Sequence, residues 1–246
     1  MKTTLSILLL LFSFCVHGHP QDEDIILDIE DGQLRLVEGQ MDDEMRAALE
    51  RQRLRKLNAM SIADKVLMYV KSGIEHIVPK GLDHILFILG LYLSAVYIST
   101  LLWQVTAFTV AHTLTLGAAI LGWVTIPASV IEPLIALSIV WVALENIVFD
   151  KPQRWRALVI FCFGLLHGLG FASVLTEYGL PKNDLITALI SFNIGVEIGQ
   201  LVILFVAALL TWRFRHHPAY KRWLVAPCSA LIALIGLYWF IERVWF

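Results

Sequence analysis

The sequence predicts an all-α integral membrane protein: six transmembrane helices in a bundle, preceded by a signal peptide and a short acidic extracytoplasmic tail. Three observations carry this expectation. Of 246 residues, 58% are hydrophobic and 16% charged, with a mean hydropathy of +0.71, which excludes an ordinary soluble globular domain. Six apolar runs of near-span length follow Leu82. Only Gln21–Met60 is polar enough to stand in water, with eleven Asp/Glu against six Lys/Arg.

Residues 1–19 read as a signal peptide. Lys2 supplies the positive start, Leu5 to Val16 the apolar run, and Val16-His17-Gly18 a small-residue cleavage site. About a dozen apolar residues fall short of the roughly 20 that a span needs. An uncleaved anchor is the rival reading, and both put the tail outside the cytoplasm. Cys15 leaves with the signal, and Cys162 and Cys228 lie in apolar runs, so no disulfide framework is legible.

Residues 20–60 form the tail, ending in DDEMRAALERQRLRKL (Asp42–Leu57), a run of helix formers with acids first and bases last. Residues 61–81 read as an amphipathic interfacial helix, and 82–246 as the six-helix domain. The spans run Leu82–Ile98, Trp103–Gly122, Ala128–Phe149, Ala157–Tyr178, Leu185–Trp212 and Trp223–Trp245, punctuated by Pro127, Pro152, Pro181 and Pro218. Tryptophans near the span ends read as an aromatic belt.

Loop charge sets the orientation. Asp150–Arg156 and Arg213–Arg222 are basic and belong in the cytoplasm, whereas Glu177–Asp184 is acidic and belongs outside. Counting back through the helices puts both ends of the mature chain outside, as a cleaved signal also requires.

The polar residues inside these spans are the chemically informative ones. Gly73–Leu91 (GIEHIVPKGLDHILFILGL) brings His76, Asp83 and His84 to the mouth of an apolar run, with Pro79 and Gly81 bending the path between them. The second span carries His112 with Thr109 and Thr113, the third Glu132 and Glu145-Asn146, the fourth His167 between Gly164 and Gly168. The fifth carries Asn193, Glu197 and Gln200 on one helical face. Ionisable side chains in a bilayer are costly and mark functional sites. Imidazole with carboxylate suits a divalent transition metal, and no methionine follows Tyr69, so a thioether path for Cu(I) is not expected in the spans. The bland alternative is interhelical glue, with Gly164-x-x-x-Gly168 and Gly195-x-x-x-Gly199 as close-packing patterns.

GIEHIVPKGLDHILFILGL, TAFTVAHTLTL, VIEPLIALSIVWVALEN, FGLLHGLGFA and FNIGVEIGQ, in this order, resemble the HupE/UreJ family of bacterial membrane proteins, in its branch with an extracytoplasmic extension. The resemblance covers about Ile62 to Leu204. It implies a nickel or cobalt permease of the bacterial inner membrane, with His76, Asp83, His84, His112, Glu132, His167 and Glu197 handling metal. Nickel permeases of another family use an HxxxxDH signature; here the gap before Asp83-His84 is longer, which makes His76 the outlying member.

Three functions are therefore expected to compete. The first is a permease passing Ni²⁺ or Co²⁺ from Asp83, His84 and Glu132 to His112, His167 and Glu197, and out past Glu145. The second is an intramembrane hydrolase holding Zn²⁺ with an open water position. The third is a non-transporting assembly factor whose acidic tail docks an extracytoplasmic partner or metallochaperone. Transport is favoured over enzymatic activity. The bilayer and a divalent ion are the expected partners, and no nucleic acid is. Histidine ligates only when neutral, so uptake is expected to weaken below about pH 6.5.

Overall fold

The computed structural model describes residues 51–52, 54–149, 151–153, 155–170, 185–215 and 217–245. The chain divides into a unit Met1–Lys56 and a unit Leu57–Phe246, and the helices described below belong to the second. The expected signal peptide, almost all of the acidic tail and the loop Glu177–Asp184 lie outside the described residues.

Helix α1 (Ile62–Ile77) begins at Ser61, whose Oγ accepts the Asp64 backbone N–H at 3.2 Å and satisfies a donor of the first turn. It stops before Pro79, which disfavours helical backbone at Val78; that residue is extended at φ −126° and ψ 114°. Gly81 then turns the chain. A side chain there would begin 2.4 Å from the His76 carbonyl, so only glycine lets the backbone pass this close. Helix α2 (Leu82–Ser94) leaves at 71° to α1.

Helix α3 is Ile98–Ile120, α4 Ala128–Val148, α5 Arg156–Gly170 and α6 Leu185–Thr211. A π-helical turn, Lys221–Val225, runs into α7 (Ala226–Trp245). Among the described residues, three helices are long and apolar enough to cross a membrane: α4, α6 and the continuous Lys221–Trp245. They become four if α1 and α2 together form one broken span. Helix α3 has 23 residues, enough length, but Gln104, His112 and its threonines dilute its apolar character. Helix α5 shows 15 described residues; its expected continuation to Tyr178 lies outside them.

The first expected span ends at Ser94 rather than Ile98, and its 13 residues make it about 20 Å long. That is short of the roughly 30 Å hydrocarbon core. Its burial explains how it is tolerated. Leu86, Phe87, Ile88, Gly90, Leu91 and Tyr92 point to different sides and are all buried, as in a helix surrounded by others. Helix α2 packs on α4 and α6 in the middle of the bundle.

The most extensive pairings are α1 with α6, α4 with α7 and α3 with α5. The stretch expected to lie flat at the interface is thus packed against α6 along its small-residue side. A Cβ on Gly73 would meet the Phe192 carbonyl at 2.0 Å, and one on Gly195 the Val70 carbonyl at 2.1 Å. Both obstacles are backbone, so no rotamer change relieves them. Gly73→Val or Gly195→Val should destabilise by at least the about 1–3 kcal/mol of an overpacked core. Thermal unfolding of detergent-purified protein checks this, with the exposed Ile194→Val as the neutral control. Outside the bundle, Ile186, Ile190, Ile194, Phe205 and Leu209 on α6 are exposed, an apolar face suited to lipid.

Candidate metal centre

Four histidines from four helices meet where the α1–α2 path breaks. His76 ends α1, His84 opens α2, His112 lies in α3 and His167 in α5. The His84 ring centroid is 4.9 Å from that of His76, 4.9 Å from that of His167 and 6.0 Å from that of His112. One ring nitrogen from each of His76, His84 and His112 lies within 4.8 Å of the other two, close enough to share a metal ion.

Helix packing sets these distances. A Cβ on Gly164 would meet the Phe108 carbonyl at 2.5 Å, and one on Gly168 the His112 carbonyl at 2.3 Å. The close-packing pattern around His167 therefore presses α5 onto α3 beside His112. Thr115 adds a tie across the same seam, its Oγ1 donating to the Leu165 carbonyl at 2.7 Å. Packing and site assembly are here one feature, rather than the competing readings the sequence offers.

Hydrogen bonds fix which nitrogen each ring presents. His167 Nδ1 is 2.7 Å from the Phe163 carbonyl oxygen, which can only accept, so Nδ1 carries the proton. His84 Nδ1 donates to Asp83 Oδ1 at 2.9 Å. Asn193 Nδ2 donates to the Leu189 carbonyl at 2.8 Å, which turns its Oδ1 toward His112 Nδ1 at 3.2 Å. In all three rings Nε2 then holds the lone pair. Each of these Nε2 atoms is buried without a hydrogen-bond partner. A buried, unsatisfied acceptor is costly unless something fills it, and three together suit a cation.

The walls are aromatic. Phe108 packs on His84, His112 and His167, and Phe192 on His76, which limits water around the rings. His84, His112 and His167 are buried, whereas His76 and Asp83 are partly exposed and form the open side.

Asp83 is placed as a brace. Its Oδ1 accepts from both the backbone N–H and the Nδ1 of His84, in the first turn of α2, where the helix dipole favours a carboxylate. His76, the outlying member by spacing, still lies 4.9 Å from His84 and 6.1 Å from His112 by ring centroids, across the bend between α1 and α2.

Glu132 and Glu197 each contact another side chain, while Oε2 of Glu197 is buried without a hydrogen-bond partner. Glu132 Oε2 is 3.9 Å from Arg243 Nε, and its backbone carbonyl accepts from Arg243 Nη1 at 3.0 Å. Glu197 Oε1 accepts from Thr106 Oγ1 at 2.7 Å, on the α3–α6 seam. Gln200 on that seam accepts from Thr109 at 2.9 Å, and Thr113 donates back to the Thr109 carbonyl. The face Asn193–Glu197–Gln200 thus runs along α3, with Asn193 alone touching an imidazole.

Glu145 and Asn146 sit at the far end of α2. Glu145 Oε2 is 3.5 Å from Arg156 Nη1, and both side chains are buried. Asn146 Nδ2 donates to the Gly90 carbonyl at 2.7 Å. The expected exit past Glu145 therefore meets a carboxylate paired with an arginine. Sequence reading overlooked Phe108 and the burial of Arg156. The Phe108–His112 spacing of four residues, one helical turn, is the signal that points to the first.

A family model described as HupE / UreJ protein matches residues 50–243. No curated protein and no solved structure matches the chain.

Proposed function

The chain belongs to the HupE/UreJ family, and from that premise and the imidazole cluster we propose that it is a membrane metal-handling protein that binds and transports a divalent transition metal. One observation carries this reading. The rings of His84, His112 and His167 are each braced through Nδ1, and each leaves a buried, unpartnered Nε2. A carboxylate or carbonyl behind the imidazole is the outer arrangement that orients a metal-bound histidine.

The donors are imidazole nitrogens, with a carboxylate oxygen next to them, which suits Ni²⁺, Co²⁺ or Zn²⁺ better than a soft ion. As cargo, a nickel- or cobalt-type ion would reach His84 from the Asp83 and His76 side, the partly exposed one. The site lies at a break between two helices, the kind of place where transporters bind substrate. In this reading the six apolar segments span the inner membrane, with α3 and the full fourth segment completing the set. Loop charge then puts the mature termini outside.

The test is uptake of radiolabelled Ni²⁺ or Co²⁺ into cells expressing the full chain. Uptake should fall to background in His84→Ala/His167→Ala, with the protein still present in the membrane. Unchanged uptake in that variant removes the proposal. Three converging imidazoles with one carboxylate behind them also match a zinc site with an open fourth position, so a resident-metal hydrolase is the second reading. Zinc retained at one ion per chain through purification and dialysis would favour it over a carrier.

A further inference from the structure

The imidazoles of the cluster are backed by different groups. A carboxylate, Asp83 Oδ1, stands behind His84 at 2.9 Å, and the backbone carbonyl of Phe163 stands behind His167 at 2.7 Å. Behind His112 is the carboxamide of Asn193, at 3.2 Å. A backbone carbonyl is neutral whatever the sequence. Asn193 is a side chain, and aspartate, its counterpart of nearly the same shape, would place a second carboxylate there.

We infer that Asn193 is a positioning residue that keeps the bound ion exchangeable, by orienting His112 without placing negative charge behind it. The inference rests on the metal-handling reading of the histidine cluster, and it concerns what governs release from that site. Asn193 is buried on α6, and its Nδ2 donates to the Leu189 carbonyl, one turn back, at 2.8 Å. That oxygen can only accept, so Oδ1 is the Asn193 atom that meets His112, and it takes the Nδ1 proton. The lone pair of His112 then lies on Nε2, which is buried with no hydrogen-bond partner. His112 is also one of the three rings whose nitrogens lie within 4.8 Å of one another.

A carboxylate behind an imidazole raises its basicity as a ligand and tightens the metal. A carboxamide holds the same ring in the same place and supplies a dipole rather than a charge. Between the rings of Phe108 and Phe192 that difference is weakly screened. A conducting site must bind firmly enough to load and loosely enough to unload, a demand that a resident metal does not make. Tying α6 to α3 is the bland role for a buried asparagine. Thr106 with Glu197 and Thr109 with Gln200 already tie that seam, at 2.7 and 2.9 Å, and neither bond ends on a ring nitrogen.

Isothermal titration of the detergent-purified full chain with Co²⁺, and stopped-flow release of bound Co²⁺ to excess EDTA, test this in Asn193→Asp and Asn193→Leu. Asn193→Asp should bind Co²⁺ about 10–100-fold tighter than the natural chain, the range over which such outer partners act. Most of that gain should appear as slower release, where affinity differences between related complexes mostly lie. Asn193→Leu, of similar volume but with no acceptor, should bind about 10–100-fold more weakly. An asparagine that only ties helices together would tighten binding in neither variant. Binding by Asn193→Asp no tighter than that of the natural chain, in protein with the same metal-free melting temperature, overturns the inference. If Asn193→Asp does not fold, unchanged affinity in Asn193→Leu overturns it instead. Failure of the natural chain itself to bind Co²⁺ would remove the metal-handling reading, which separates that failure from the failure of this inference alone.

Discussion

His84→Ala should abolish high-affinity metal binding, the largest functional loss of any single substitution in this chain. Among the described residues, His84 has imidazole neighbours on three other helices: His76 at 4.9 Å, His167 at 4.9 Å and His112 at 6.0 Å. Its removal breaks the His76–His84–His112 group and takes from His167 its nearest imidazole neighbour, so no three ring nitrogens remain grouped for a divalent ion. Asp83→Asn gives the calibrating comparison. The carboxamide oxygen can still accept the Nδ1 proton of His84, but the negative charge behind the ring is gone. Losses of such outer partners cost about 10–100-fold in metal affinity, so His84→Ala must exceed that range. Glu132→Gln should leave affinity unchanged, because that carboxylate faces Arg243, and Glu197→Gln should cost far less than His84→Ala, because its Oε1 is held by Thr106. Isothermal titration of purified protein with Ni²⁺, Co²⁺ and Zn²⁺ measures the series, with thermal unfolding to show that each variant folds. Equal losses for His84→Ala and Glu197→Gln would mean that the ligands are not the converging imidazoles.

The apolar runs that become α4, α6 and α7 are legible in the sequence because length and composition decide them. The break between α1 and α2 is legible too, from Pro79 and Gly81. The destination of α1 is not. Amphipathicity shows that a helix has a face to bury, and an aqueous interface or a neighbouring helix satisfies that pattern equally. What selects the neighbour is the meeting of Gly73 with Gly195, two glycines far apart in sequence and ordinary when read singly.

The candidate site divides in the same way. Depth along a helix follows from counting residues, which sets His76 and His84 at the mouth and His112 and His167 deeper, whereas the structure brings His84 beside both of the deeper rings. Rotation about the helix axis does not follow from counting. Glu197 shares a face with Asn193, yet one more helical turn carries it past the imidazoles to Thr106. Glu132 is claimed by Arg243, near the end of the chain, which no spacing within the third span could announce. His76 shows the converse, since a long gap in sequence becomes a short distance across the bend at Pro79 and Gly81.

Arg156→Met should be among the most destabilising substitutions outside the close helix crossings, by about 3–5 kcal/mol. By sequence Arg156 is one cation of a basic loop, of a kind worth little to stability. In the structure its side chain and that of Glu145 are only 2% and 3% exposed, at 3.5 Å from one another. Removing the arginine strands a carboxylate in an apolar interior and takes a donor from Asn146 Oδ1, itself buried. The cost therefore comes from the group left behind more than from the bond lost. Glu145→Leu/Arg156→Met removes both charges and should recover most of the stability, since a buried pair is often replaceable by apolar side chains of similar volume. A double-mutant cycle read by thermal unfolding in detergent separates the two contributions. If the double variant is as unstable as Arg156→Met alone, the cost does not come from the carboxylate left behind at Glu145. Recovery of stability would instead show that the fold needs only neutrality at this point.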